Sequence, residues 1–167
     1  TTERIKLLMN ELNITPESYL PVISVAKEKG SNENIPVIAL ELPNGKIITG
    51  KKTELLSPAS SLIINAIKEL TNIPDEVYLL SPNILEPMLN LKHELNTGNR
   101  LTLPEILTAL SICSTTNPII EKAINNLKKL KGCEAHATYI VDNGDKRTLK
   151  NLKINLTCEP EYLPGDE

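Results

Sequence analysis

Val37-Ile38-Ala39-Leu40-Glu41-Leu42, Pro43-Asn44-Gly45 and Lys46-Ile47-Ile48-Thr49-Gly50 set two apolar runs on either side of a turn signal. Asn-Gly tolerates the positive φ angles of a tight turn, so the stretch reads as a β-hairpin. After it, Ser57-Pro58 reads as a helix cap with proline in the first turn. Ala59, Leu62, Ile63, Ala66, Ile67 and Leu70 then recur at the spacing of one buried helical face. The apolar run Val77-Tyr78-Leu79-Leu80 reads as a further strand, ended by Ser81-Pro82, another helix start. Two amphipathic helices follow, carried by Leu103, Ile106, Leu107, Leu110 and Cys113 and by Ile120, Ala123, Ile124, Leu127 and Leu130. The polar run Ser114-Thr115-Thr116-Asn117-Pro118 separates them.

Two short strands are expected near the C-terminus, at residues 133–141 and 154–159, around a short helix from Lys146 to Leu152. Strand side chains alternate between faces. Cys133, Ala135, Ala137, Tyr139, Val141, Ile154, Leu156 and Cys158 therefore share a dry face, and Glu134, His136, Thr138, Asn155, Thr157 and Glu159 a wet one. Strands alternating with helices predict an α/β fold, a three-layer sandwich around a mixed, mostly parallel sheet that begins with an antiparallel hairpin. Residues 1–34 read as a helical lead-in. Its first helix carries Ile5, Leu8, Met9 and Leu12, and its second starts at Thr15-Pro16, is kinked or broken by Pro21 and ends at Gly30. A polar linker, Ser31 to Asn34, closes it, and residues 35–167 form the α/β domain.

Composition narrows the function classes. Phe and Trp are absent, four Tyr occur and the formal net charge is -3, so the aromatic stacking platforms and basic grooves of single-stranded nucleic-acid binders are missing. The basic run Lys128-Lys129-Leu130-Lys131 closes a helix, where cations favour the dipole. Three widely spaced cysteines make neither a disulfide framework nor a C-x-x-C metal pair, which points to a reducing cytoplasmic compartment and to no metal. No apolar run reaches the ~20 residues of a membrane span. A start at Thr1-Thr2-Glu3 suggests a fragment or a processed product.

Helix N-termini beyond strand ends favour anions, so Ser57, Ser81 and the cluster Thr115, Thr116 and Asn117 are candidate anion-binding residues, with helix capping as the plain alternative. Glu134 and His136 share a strand face, so the carboxylate can orient the imidazole as a general base. They are the candidate catalytic pair. A wet strand face needs no such explanation if it meets solvent or a partner subunit. Cys113 and Cys158 read as core residues, and His93, in Lys92-His93-Glu94, as solvated.

The segments Ile38 to Lys51, Ile73-Pro74-Asp75-Glu76, Leu80-Ser81-Pro82, Thr115-Thr116-Asn117-Pro118, Gly132-Cys133-Glu134-Ala135-His136 and residues 154–160 together closely resemble a bacterial family, domain-of-unknown-function eighteen-forty-six. The resemblance covers nearly the whole chain. It implies the C-terminal third of a longer cytoplasmic protein whose upstream part carries a Gly-rich loop similar to nucleotide-binding loops, and it carries no assigned reaction. The order of elements is also similar to the cytidine-deaminase fold, whose zinc enzymes need His or Cys with Glu at one helix start and Pro-Cys-x-x-Cys at the next. The matching places here are Ser57-Pro58-Ala59-Ser60 and Ser81-Pro82-Asn83-Ile84-Leu85-Glu86, without thiolate or imidazole.

The expected function is a domain non-catalytic by itself that packs on the upstream nucleotide-binding-like region. The alternative is a contribution of acid/base and anion-binding residues to an active site for a phosphorylated or nucleotide-like small molecule. Expected partners are that upstream part, a second copy of the chain and an anionic small molecule. No cofactor, nucleic acid or membrane is expected.

Overall fold

The computed structural model describes residues 21–159. The first lead-in helix, the Thr15-Pro16 start and residues after Glu159 lie outside that range. Six α-helices and four strands follow in the order α1 (Pro21–Glu33), β1 (Val37–Glu41), β2 (Ile47–Lys51), α2 (Pro58–Leu70), α3 (Pro82–Leu95), α4 (Leu103–Cys113), α5 (Pro118–Asn125), β3 (Glu134–Ala137), α6 (Asn143–Asn151) and β4 (Asn155–Cys158). A 3₁₀ turn, Asn126–Leu130, extends α5.

The hairpin forms as read, with Glu41 opposite Ile47 and Gly45 at φ 87 in the turn. The sheet order is β2-β1-β3-β4. β1 pairs antiparallel with both neighbours and β3 pairs parallel with β4. β2, β3 and β4 thus run one way and β1 alone opposes them. The sheet is mixed, but "mostly parallel" describes strand direction only, because β1 sits between two of the co-directional strands and leaves a single parallel pairing.

Parity places Ile38, Leu40, Ala135 and Ala137 in the main aliphatic core, which they share with apolar residues of α2, α4 and α6. Gly50 is needed there. A Cβ on it would lie 2.2 Å from the backbone nitrogen of Leu62 and 2.5 Å from the carbonyl oxygen of Pro58, so α2 can sit on β2 only because this residue has no side chain.

Four expectations change. Residues 77–80 form no strand. Val77 N–H closes a turn on Pro74, Val77 and Tyr78 are exposed, and Leu79 and Leu80 alone enter the core. The second change is at Gly30, which does not end α1. The helix continues to Glu33, and Gly30 lies where a Cβ would come 3.1 Å from Thr138 Cγ2. Third, the polar sheet face is wet only in part, with Asn155 exposed but His136 and Thr138 covered. α1 packs on β1 and β3 through Val22, Ile23 and Ala26 around Ala39, leaving His136 only 5% and Thr138 9% exposed. The helix expected from Lys146 begins at Asn143, capped by Asp142.

Candidate functional site

The co-directional strands carry the chain to one end of the sheet, the place where α/β folds commonly bind ligands. From there β2 leads through Lys52 to α2, and β3 leads through Thr138 to Val141 into α6. Each helix start has a local reason. Ser57 caps α2 with Pro58 behind it, and Asp142 caps α6 by accepting the N–H of Asp145 at 3.0 Å. At α4, Glu105 reaches back to the Thr102 N–H at 2.9 Å and to its hydroxyl at 2.8 Å.

Asp145 ties the three starts together. One carboxylate oxygen accepts the Ser57 hydroxyl at 2.8 Å and the other the Leu103 N–H at 2.8 Å, so α2 and α4 both begin on a residue of α6. The side chain is 1% exposed. Burial and the nearby charge of Asp142 push its pKa up to about 6, against the two hydrogen bonds, which lower it. Ser57 Oγ also lies 3.0 Å from Ser60 Oγ, and Ser60 donates to the Leu101 carbonyl at 3.1 Å. Next to this cluster opens a cleft of about 230 Å³, walled by Lys52, Thr102, Asp142 and Asp145, with Arg100 and the buried Lys92 on its far side. Lys92 donates to Glu105 at 2.7 Å and to the Arg100 carbonyl at 2.7 Å. Burial opposes ionisation of Glu105, but the bonds from Lys92 and Thr102 prevail and hold its carboxyl below the usual range.

The residues singled out from the sequence are spread over the molecule. Ser57 lies at this cluster. Glu134 and His136 lie on the far face of the sheet, under α1. There His136 Nδ1 is 2.6 Å from Thr157 Oγ1 and Nε2 is 3.0 Å from Glu159, which also faces Lys27 at 3.7 Å. Glu134 accepts from Asn155 at 3.1 Å, so the carboxylate bonded to the imidazole is Glu159. Ser81 precedes α3 and makes no side-chain capping bond. Thr115 and Thr116 are exposed, their hydroxyls on the last carbonyls of α4, and Asn117 caps α5 through the N–H groups of Ile119 and Ile120. They stand at the C-terminal end of α4, about 16 Å from its start at Asp145, given 1.5 Å per residue. Asp145 does not stand out in the sequence, because a helix read from Lys146 leaves it in the preceding loop. The pair Asp142 and Asp145, at N-cap and third position, was the available signal.

At the helix starts compared with the deaminase pattern the side chains are Ser57 and Ser81. At the start that follows a sheet strand they are Asp142 and Asp145. None is an imidazole or a thiol, Asp145 has both oxygens engaged, and among the described residues no group of three His, Cys, Asp or Glu is placed to hold a metal. The donor set does not fit zinc.

Residues 18–166 match the family described as Domain of unknown function DUF1846, C-terminal. The chain belongs to this family. Among curated relatives, UPF0371 proteins of Clostridioides difficile strain 630 and Clostridium botulinum strain Eklund 17B are 42% and 45% identical, over 96% and 97% of this chain. The UPF0371 protein of Clostridium tetani is 41% identical over 97%. In all three the match spans 34% of the relative, so the chain corresponds to about a third of a longer protein. No helix among the described residues is long and apolar enough to cross a membrane.

Proposed function

We propose that this chain is a domain, non-catalytic by itself, that packs on the N-terminal part of the longer protein. The observation that carries this reading is the outer face of α3. Leu85 and Leu89 bury one side of that helix, while Ile84, Leu91 and Leu95, at i, i+7 and i+11, form a second apolar stripe, with Leu91 55% and Leu95 62% exposed. Val77 and Tyr78, in the segment entering α3, are exposed too. A stripe of this kind on a charged chain marks an interaction surface, and the two thirds of each relative outside the match supply an occupant. The polar groups support the same reading, because His136, Ser57 and Asp145 hold elements to one another. Within it, the lead-in helix is a layer of the domain, and a hairpin, a helix and two parallel strands joined by α6 favour a deaminase-like arrangement with one strand fewer than the sequence suggested. The three cysteines are unpaired, in keeping with a cytoplasmic protein.

The test is to co-express the N-terminal part of the longer protein with this chain. Co-elution as a 1:1 complex is expected, abolished by Leu91→Glu with Leu95→Glu while the chain keeps its circular dichroism. A complex unaffected by these changes removes the reading, and a dimer of this chain broken by them replaces it with self-association.

The cleft at Asp145 favours a second reading, in which that end of the sheet is one wall of an active site shared with the upstream part, Ser57 and the helix starts facing an anion and Asp145 carrying a proton. Nucleotides and sugar phosphates should then raise the melting temperature of the longer protein, and Asp145→Asn should weaken that shift at least tenfold in ligand concentration. Lack of any shift in the longer protein counts against it.

A further inference from the structure

We infer that a separate cavity, between α2 and the segment entering α3, binds a small organic anion with an apolar body. The cavity holds about 430 Å³, within the usual range of small-molecule sites. Ser61, Asn65 and Lys68, spaced i, i+4 and i+7 along α2, form one wall, and Leu55, Leu79, Leu80 and Leu85 make much of the rest.

Two polar groups in this wall are incompletely satisfied. Ser61 is 8% exposed, and its hydroxyl is a buried side-chain polar atom without a hydrogen-bond partner among the described residues. Native folds rarely leave such an atom without a reason. Lys68 is 6% exposed, and the bond it makes is to the backbone carbonyl of Asp75, at 3.0 Å. No carboxylate among the described residues forms an ion pair with it, although an ammonium has three protons to donate and buried charges are ordinarily paired. Asp75 also lines the cavity, but Lys29 and Lys51 do so as well, so the lining is net positive. An anionic head accepting from Lys68 and Ser61, with a short apolar chain against the leucines, satisfies both groups and removes apolar surface from water. Water alone in the cavity would satisfy the polar groups but would show no preference for such a molecule.

The probes are hexanoate and hexyl phosphate, with hexanol and hexylammonium as controls, read by thermal shift and by titration calorimetry. One or both anions should bind saturably and raise the melting temperature, with the controls inert at equal concentration. Lys68→Met should abolish the effect without lowering the melting temperature of the free protein, and Ser61→Ala, which fills no space and removes no partnered group, should weaken binding several-fold. If Lys68→Met does not fold, Ser61→Ala decides. The inference falls if neither anion binds, if a control binds as well as the anions, or if the folded variants bind with unchanged affinity.

Discussion

A carboxylate such as Asp145 resists its own charge. Its folded pKa of about 6 lies above the ordinary 3.8, so the native state holds the proton more tightly than the unfolded chain. Its contribution is therefore complete below pH 4 and is lost as pH rises through 6. The two-unit gap corresponds to about 3 kcal/mol. Asp145→Asn keeps an acceptor for Leu103 N–H, and Ser57 can turn its O–H away so that its oxygen accepts from the amide NH2. Denaturant titrations of the two proteins between pH 4 and 7 should show the wild type losing stability relative to the variant as pH rises. Parallel curves would mean that Asp145 does not titrate there. Asp145→Ala is different, because it strands a buried N–H and a hydroxyl together, and a loss of about 2–4 kcal/mol is expected below pH 4, shrinking as pH rises through 6. His136 shows why a candidate pair can be misjudged from its spacing. Parity put Glu134 and His136 on one face correctly, but register decides partners, and Thr157 lies opposite His136 in the parallel ladder with Glu159 beyond it.

Elements with dense local signals were legible and those defined by distant contacts were not. The hairpin, α2 and α4 carry their own turn residues, caps and apolar spacing, and each stands where the residues place it. Val77-Tyr78-Leu79-Leu80 has strand composition, but a strand needs a neighbour, and this segment turns on itself through Val77 N–H and Pro74 without joining the four-stranded sheet. α1 is hard to read as a cover because its apolar face is narrow, Val22, Ile23 and Ala26, and the buried apolar residue it meets on the sheet is Ala39, with Ile47 partly buried beside it. Gly50 shows the reverse, an unremarkable residue on which an element rests. Gly50→Ala forces α2 off β2, since the obstacles are backbone atoms that cannot rotate away. Urea unfolding should show a loss of about 3 kcal/mol or more. A loss under about 1 kcal/mol would mean the helix can slide at little cost.

Over the whole molecule, the hydrogen bond from Val37 N–H to the Thr138 hydroxyl joins residues 101 positions apart, and Asp145 reaches back 88 positions to Ser57. β1 finds one partner within a few residues and the other only after four helices have been made. Loop-closure entropy must be met before that second pairing is rewarded, so the hairpin with α2 should assemble first. In stopped-flow chevrons, Gly50→Ala is expected to slow folding, whereas Ala137→Gly should mainly speed unfolding. The opposite assignment would place β3 in the nucleus. During synthesis the consequence is sharper. Until residue 137 has left the ribosome, the inner edge of β1, four residues fully buried in the finished fold, is an unpaired apolar template. Nascent chains stopped between residues 70 and 130 should therefore be prone to aggregate, and the period of greatest risk ends with the emergence of β3.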